Sequence, residues 1–329
     1  MSLLRGARLA IAVFAFLFIV SSVRRAVADV VFSEIHYHPP GDEALEFVEL
    51  LNTGSAAVQL DGWRVSGAVD YVFPGGARID AGARVVVARD RSRLLGAYPG
   101  IDSQVVFGDF AGALSNDGEP LVLESNAREV IAIVAYDDAL PWDEFADGVG
   151  PSLELVCLEG DPSSPDSWRA GRVPQEGGVG GTPARAPDVE TGCPAPARAP
   201  SVHISEIHYH PVLEEWFEDR HEFVEIHNSG ETDVSLAGWR LTGGIDYRFP
   251  DGATIASGGY VVVAKNRAML AQVEEYDLSV DEIFGDYERL LSNDGNAVAL
   301  VDADGNGVEF VRYTDEFPWP IGADALGAG

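Results

Sequence analysis

The chain has 329 residues, with 22 basic against 53 acidic side chains and a formal charge of -31. That balance excludes DNA or RNA as the default partner, because a phosphate backbone is held by a basic surface. Its two cysteines, Cys157 and Cys193, are too far apart for a zinc knuckle.

In chain order, Arg5 and Arg8 precede the uncharged run from Leu9 to Val23, and Ala26-Val27-Ala28 supplies a small-x-small cleavage pattern. Residues 1–28 therefore read as an export signal, with the mature chain starting at Asp29. Arg24 and Arg25 lie between the apolar run and the cleavage pattern, which leaves a retained anchor open. The run is nonetheless short for a membrane span of roughly 20 residues. The expected location is secreted, cell-surface or periplasmic, with no transmembrane segment once the signal is removed. In such a compartment Cys157 and Cys193 can form a disulfide, contributing roughly 3 kcal/mol by restricting the unfolded chain.

The body of the chain is one unit written twice. SEIHYHP occurs at Ser33 and Ser205, EFVELLNTG at Glu46 answers EFVEIHNSG at Glu222, and LDGWRVSGAVDYVFPGGARI at Leu60 answers LAGWRLTGGIDYRFPDGATI at Leu236. RVVVAR and YVVVAK, VFGDF and IFGDY, LSNDG at Leu114 and Leu291, and Pro-Trp at Pro141 and Pro318 follow in the same order. Such self-similarity marks a tandem duplication.

Short runs rich in Val, Ile, Phe, Tyr and Trp alternate with Gly, Asn, Asp and Pro clusters, which predicts two all-β sandwich domains. Only Arg89 to Tyr98 and Arg267 to Tyr276 suggest a helical turn. The predicted layout is a signal over 1–28, a first domain over 29–170, a Pro/Gly-rich flexible tether over 171–201 and a second domain over 202–329. PSLELVCLEG and DSWRAG read as closing strands of the first copy; the second stops at PWPIGADALGAG, where that continuation would begin, so either the second domain lacks its final piece or the chain is the front of a longer protein, and the latter is the reading preferred.

The linked order E-I-x-Y, EFVEL-N, L-x-G-W, Y-x-F-P, I-x-x-G, VVVA and LSNDG resembles the lamin tail domain, an immunoglobulin-like module, and is similar to its bacterial secreted branch. The resemblance covers about 29–170 and 202–329. It implies a tandem pair of immunoglobulin-like β-sandwiches, of the kind attached to secreted nucleases, phosphatases or CotH-type kinases as accessory modules. There is no coiled-coil rod and no nuclear-localisation cluster, so filaments and the nucleus do not carry over. The motif residues themselves read as structural: Trp63 and Trp239, after a tight glycine turn, and Phe73 and Phe249, before a proline that ends pairing, are expected in the core. Asp-Gly within LSNDG is expected at a hairpin turn.

Alternate strand residues share a face, so Glu34, His36 and His38 oppose Ile35 and Tyr37, as Glu206, His208 and His210 oppose Ile207 and Tyr209. Phe47 and Glu49, with Glu225 in the second copy, are expected to face away from the core. If the two strands pair, Glu49 approaches Glu34 and His36, and a divalent metal could be held in each copy. The competing reading is ordinary alternation, with apolar residues inward and polar ones in water, and it is the one preferred. Five of the seven histidines, His203, His208, His210, His221 and His227, open the second copy. Asp302, Asp304 and Asn306 match the first calcium-loop spacings, but position twelve is Tyr313 and a hairpin turn is the better reading.

No G-x-S-x-G, Walker loop or H-E-x-x-H is present. The sequence thus reads as an exported, non-catalytic binding or scaffold protein acting on an extracellular or cell-envelope protein or polysaccharide, without a cofactor. Two alternatives stay open: the front of a larger secreted enzyme, and a metal-binding protein using the Glu/His strands.

Overall fold

A computed structural model describes residues 30–175, 178–193, 201–211, 221–280, 282–317 and 319. The expected signal and the end of the expected tether lie outside the described residues, as does most of the PWPIGADALGAG stretch.

The first copy begins with β1 (Val30–His36), β2 (Phe47–Asn52), β3 (Val58–Gln59), β4 (Arg64–Gly67), β5 (Val69–Val72), β6 (Arg78–Ile79) and β7 (Arg84–Ala88). Helix α1 (Arg91–Ala97) follows, then β8 (Val106–Gly108), β9 (Ala111–Gly112), β10 (Glu119–Glu124), β11 (Val130–Tyr136), β12 (Leu153–Leu155) and β13 (Trp168–Ala170). One sheet runs β13-β12-β1-β2-β7-β8 and the facing sheet β11-β10-β4-β5-β9. Ile35, Val48, Leu50 and Val87 from the first sheet meet Val65, Leu121, Leu123 and Val134 from the second in a dry core.

The second copy repeats this with β14 (Val202–His208), β15 (Phe223–Asn228), β16 (Val234–Ser235), β17 (Arg240–Gly243), β18 (Ile245–Arg248), β19 (Thr254–Ile255) and β20 (Tyr260–Ala264). Next come α2 (Arg267–Leu270), β21 (Ile283–Gly285), β22 (Glu288–Arg289), β23 (Gly295–Val301) and β24 (Gly307–Thr314). Its sheets run β14-β15-β20-β21 and β22-β18-β17-β23-β24. Among the described residues, nothing in the second copy takes the places of β12 and β13.

Both short helices fall where a helical turn was expected, each capped by a side chain: Asp90 accepts from the Arg93 amide, and Asn266 from that of Met269. Phe73 and Phe249 are core residues at 1% exposure, whereas Trp63 and Trp239 are only partly buried at the core margin. The glycine turn before each tryptophan sends the ring to the rim of the sandwich. Nor does Asp117-Gly118 close a hairpin: the turn joins β9 to β10, which are not neighbours in their sheet. Positive φ at Gly118 and Gly295 serves entry into β10 and β23 instead.

The largest difference from expectation concerns the tether. Over 172–175 it docks the two copies together: Val173 packs with Val149, Ala299 and Val301, its amide donates to the Gly305 carbonyl (2.9 Å), and Arg240 donates to the carbonyls of Val173 (3.1 Å) and Pro174 (2.9 Å). Phe145 meets Phe310 edge-on, and Arg312 bridges to Asp138 (2.8 Å) and Asp147. Over 178–188 the segment lies on the first sheet. Its glycines serve contact more than flexibility: a Cβ on Gly180 would stand 1.8 Å from the Gly150 carbonyl oxygen, and Gly181, at φ +85°, passes against Glu34 and Phe47.

Candidate functional site

The outer face of the first sheet holds the Glu/His positions of both copies. In the first copy β1 pairs with β2 and β12, placing Glu34 opposite Glu49 on one side and Glu154 on the other. The three carboxyls thus stand in a row across adjacent strands, each only 1% exposed. This departs from the polar-outward reading, and the reason is the overlying segment 178–188, which turns a solvent face into a second interior.

Every carboxyl there has donors. Glu34 Oε1 accepts from the Thr182 amide (2.6 Å) and the Ser152 hydroxyl (2.6 Å). Glu49 accepts from the Ala184 amide (2.6 Å) and the Ser33 hydroxyl (2.6 Å), and Arg84 Nε lies 3.0 Å from it. Glu154 accepts from the Thr182 hydroxyl (2.8 Å) and the Asp188 amide (3.2 Å). Tyr98, from the end of α1, donates its hydroxyl to the Gly180 carbonyl. Burial raises the pKa of all three carboxyls far above the carboxylate range; the charge of Glu49 adds to it at Glu34, that of Glu34 at Glu154 and that of Glu154 at Glu49. The row therefore anchors a strap of backbone, whose Thr182, Ala184 and Asp188 amides all donate to it.

His36 is also interior, at 0% exposure: its Nε2 bonds the Gly150 carbonyl (3.1 Å), its ring meets Phe47 edge-on, and burial pushes its pKa down to about 4. His38 lies beyond the end of β1 and turns to Asp147 (Nδ1–Oδ1 2.5 Å) in the cleft between the copies, so it does not join Glu34 and His36. Arg84, Ser152, Glu154 and Thr182 were missed as partners of this face. Glu154 sits in the LEL alternation of PSLEL, which was the available signal; Thr182 lay in a run read as flexible because of its glycines.

In the second copy Glu206 stands opposite Glu225, and the Ser205 hydroxyl donates to Glu225 (2.7 Å) as Ser33 does to Glu49. This pair is only partly buried; burial and then the charge of Glu225 raise the Glu206 pKa. His208 is 5% exposed and packs on Phe223, yet neither ring nitrogen has a hydrogen-bond partner. Tyr276, at the position of Tyr98, is 38% exposed. His203 faces His227 across the ladder and bonds the Ser229 hydroxyl (2.9 Å), while His227 stacks on Tyr260. His210 lies just past the strand and His221 just before β15.

Among the described residues, the one group of three His, Cys, Asp or Glu ligand atoms within 4.8 Å of one another is Cys157, Glu159 and Cys193. Its two sulfurs are joined in a disulfide, with Cα atoms 4.4 Å apart, which ties the far end of the strap to the residues after β12. Asp302 accepts from the amides of Asp304 (2.9 Å) and Asn306 (2.8 Å) and from the Asn306 side chain (2.8 Å), closing the β23–β24 turn with the oxygens a calcium ion would need.

The shared motif residues knit loops in both copies. Asn52 and Asn228 each donate to carbonyls beyond their strands, and Glu46 and Glu222 each accept from the amide of the LSNDG leucine, Leu114 (2.8 Å) and Leu291 (3.1 Å). Two immunoglobulin-like sandwiches in tandem, with a repeated polar outer face, define the class: a modular all-β protein of a binding type. The family model described as Lamin Tail Domain matches residues 24–138 and 195–315, and the chain belongs to that family, in two copies. The domain is a non-catalytic immunoglobulin-like one. No curated protein sequence matches the chain.

Proposed function

We propose that this is an exported, non-catalytic binding or scaffold protein whose two lamin tail domains mediate adhesion or anchoring at the cell envelope, their partner being an extracellular or envelope protein or polysaccharide. The Cys157–Cys193 disulfide, built into the strap of the first copy, carries the reading, because such bonds persist in oxidising compartments. The signal-like pattern over residues 1–28 supports the same compartment. The acidic balance, with 53 acidic residues, suits a solvated extracellular surface. The matched family supports a binding role for each copy.

The test is fractionation of a bacterial host expressing the full chain, with thiol alkylation of each fraction before lysis. Recovery outside the cytoplasm, with both cysteines protected and the chain retained by washed envelopes, is the expected result. A cytoplasmic chain with two alkylated thiols would sink the proposal.

A further inference from the structure

We infer that the cavity between α1 and the strap of the first copy is a carboxylate-binding site that takes the free C-terminal residue of a polypeptide, one with an apolar side chain. The inference rests on the binding-module reading and names one chemistry by which that module recognises a protein partner.

Three elements wall the cavity, about 610 Å³ in volume: the turn into β7, the loop that follows α1, and strap residues 183–186. Each is fixed by its own backbone. The Ala83 amide donates to the Asp80 carbonyl (3.0 Å), the Ile101 amide to the Tyr98 carbonyl (3.1 Å) and the Arg185 amide to the Thr182 carbonyl (2.9 Å). A site held in this way exists before its ligand arrives, so little ordering has to be offset on binding.

Two guanidinium groups line it from different walls, Arg84 at the start of β7 and Arg185 on the strap. In a chain of formal charge -31 that is a local exception. Arg84 has its Nε 3.0 Å from Glu49 without the alignment of a hydrogen bond, and Glu49 already accepts from Ser33 and Ala184. Arg185 is exposed and has no hydrogen-bond or ion-pair partner among the described residues. The one acid among the lining residues, Asp102, turns Oδ1 back to the Gln104 amide (2.9 Å). At physiological salt, charges beyond about 8 Å are largely screened, so an anion in the cavity meets these two cations more than the remote acidic surface.

Guanidinium forks match a carboxylate with paired, charge-assisted hydrogen bonds. The remaining wall chooses the body that carries it. Pro99, Ile101, Val105 and Pro183 present apolar surface, which suits an aliphatic side chain; a uronate ring, with hydroxyls on every face, would leave several without acceptors. The second copy lacks the pair of cations. Tyr260 stands at the register position of Arg84, opposite His227 as Arg84 is opposite Leu51, and stacks on that imidazole with centroids 4.3 Å apart. The site therefore belongs to the first copy, and the tandem copies are not equivalent as binders.

The probe is the peptide acetyl-Gly-Gly-Leu, titrated into the full chain and followed by NMR of the arginine guanidinium groups. Saturable one-to-one binding that moves the Arg84 and Arg185 signals is expected, weakened at least tenfold when the peptide ends in an amide. Arg185→Gln, at an exposed side chain, should weaken it as much while leaving the unfolding midpoint where it was. The amide comparison changes only the peptide and stands whether or not that variant folds. Absence of saturation, equal binding of acid and amide, shifts confined to other arginines, or undiminished affinity in folded Arg185→Gln would overturn the inference. So would glucuronate binding as tightly as the peptide, since the ligand would then be an acidic saccharide. If envelopes retain a chain that ignores the peptide, the cavity proposal falls and the adhesion reading stands; a cytoplasmic chain that binds it would reverse that outcome.

Discussion

β1 and β14 both end in SEIH, the opening of the repeated SEIHYHP, and lie in different surroundings. All seven residues of β1 are buried, whereas β14 keeps only its first and last residues fully buried. The difference lies far from either strand in sequence. The first copy has β12, β13 and the strap over 178–188; the second has no described counterpart. A strand's polar alternation thus says which residues share a face and leaves open whether that face meets water or another layer of chain.

The comparison breaks most sharply at Trp168, fully buried in β13 and without a described counterpart in the second copy. Trp168→Ala should cost the first domain about 3–5 kcal/mol. Denaturant unfolding followed through each domain should show one transition moving and the other staying. A shift of both together would mean that the copies unfold as one unit.

Next in size is the disulfide. Cys157→Ser with Cys193→Ser releases a loop with a sequence separation of 36 and should cost about 3–4 kcal/mol in the loop-closure account. Amide exchange should rise over 178–192 and stay unchanged in β14 and β15.

Gly180→Ala tests whether the strap's glycines exist for contact. The added methyl meets the Gly150 carbonyl, so a loss of about 1–3 kcal/mol is expected, with limited proteolysis now cutting inside 175–188. A variant as stable and as resistant as the parent would restore the flexible-tether reading.

A pH slope, read per pH unit and not as a single loss, completes the comparison. The Glu34 and Glu154 carboxyls, ordinarily near 4.5, are raised to about 8 in the folded protein and Glu49 to about 7, so the folded state binds protons that the unfolded state has already lost. Their contribution is complete below the ordinary carboxyl range and falls as pH rises toward 8. The limit is about 1.4 kcal/mol per pH unit for each group, and less here because the three titrate together and Arg84 offsets one charge. Unfolding of the first domain measured from pH 5 to 8.5 should show stability falling. Glu34→Gln with Glu154→Gln should flatten the curve; a slope unchanged by those substitutions would place its origin elsewhere.

Much of this was legible beforehand. Repeats in fixed order identified the duplicated sandwich and its family, and PSLEL and DSWRAG marked the two closing strands. The pairing of Cys157 with Cys193 followed from there being two. Trp63 and Trp239 misled because a glycine turn decides a ring's direction only together with what stands beyond it. LSNDG misled because a favoured turn dipeptide does not say which strands the turn connects. GGVGGTP misled most, since glycine serves both loose chain and close backbone approach.

The sequence by itself determined the strands, their two-residue alternation, the duplication and which side chains share a face, because these depend on neighbours within a few residues. Only the tertiary structure decided that Glu34, Glu49 and Glu154 form a buried row and that His36 is paired while His208 is not. Burial and carboxyl protonation depend on what is packed above a strand, and here that layer comes from residues more than a hundred positions away.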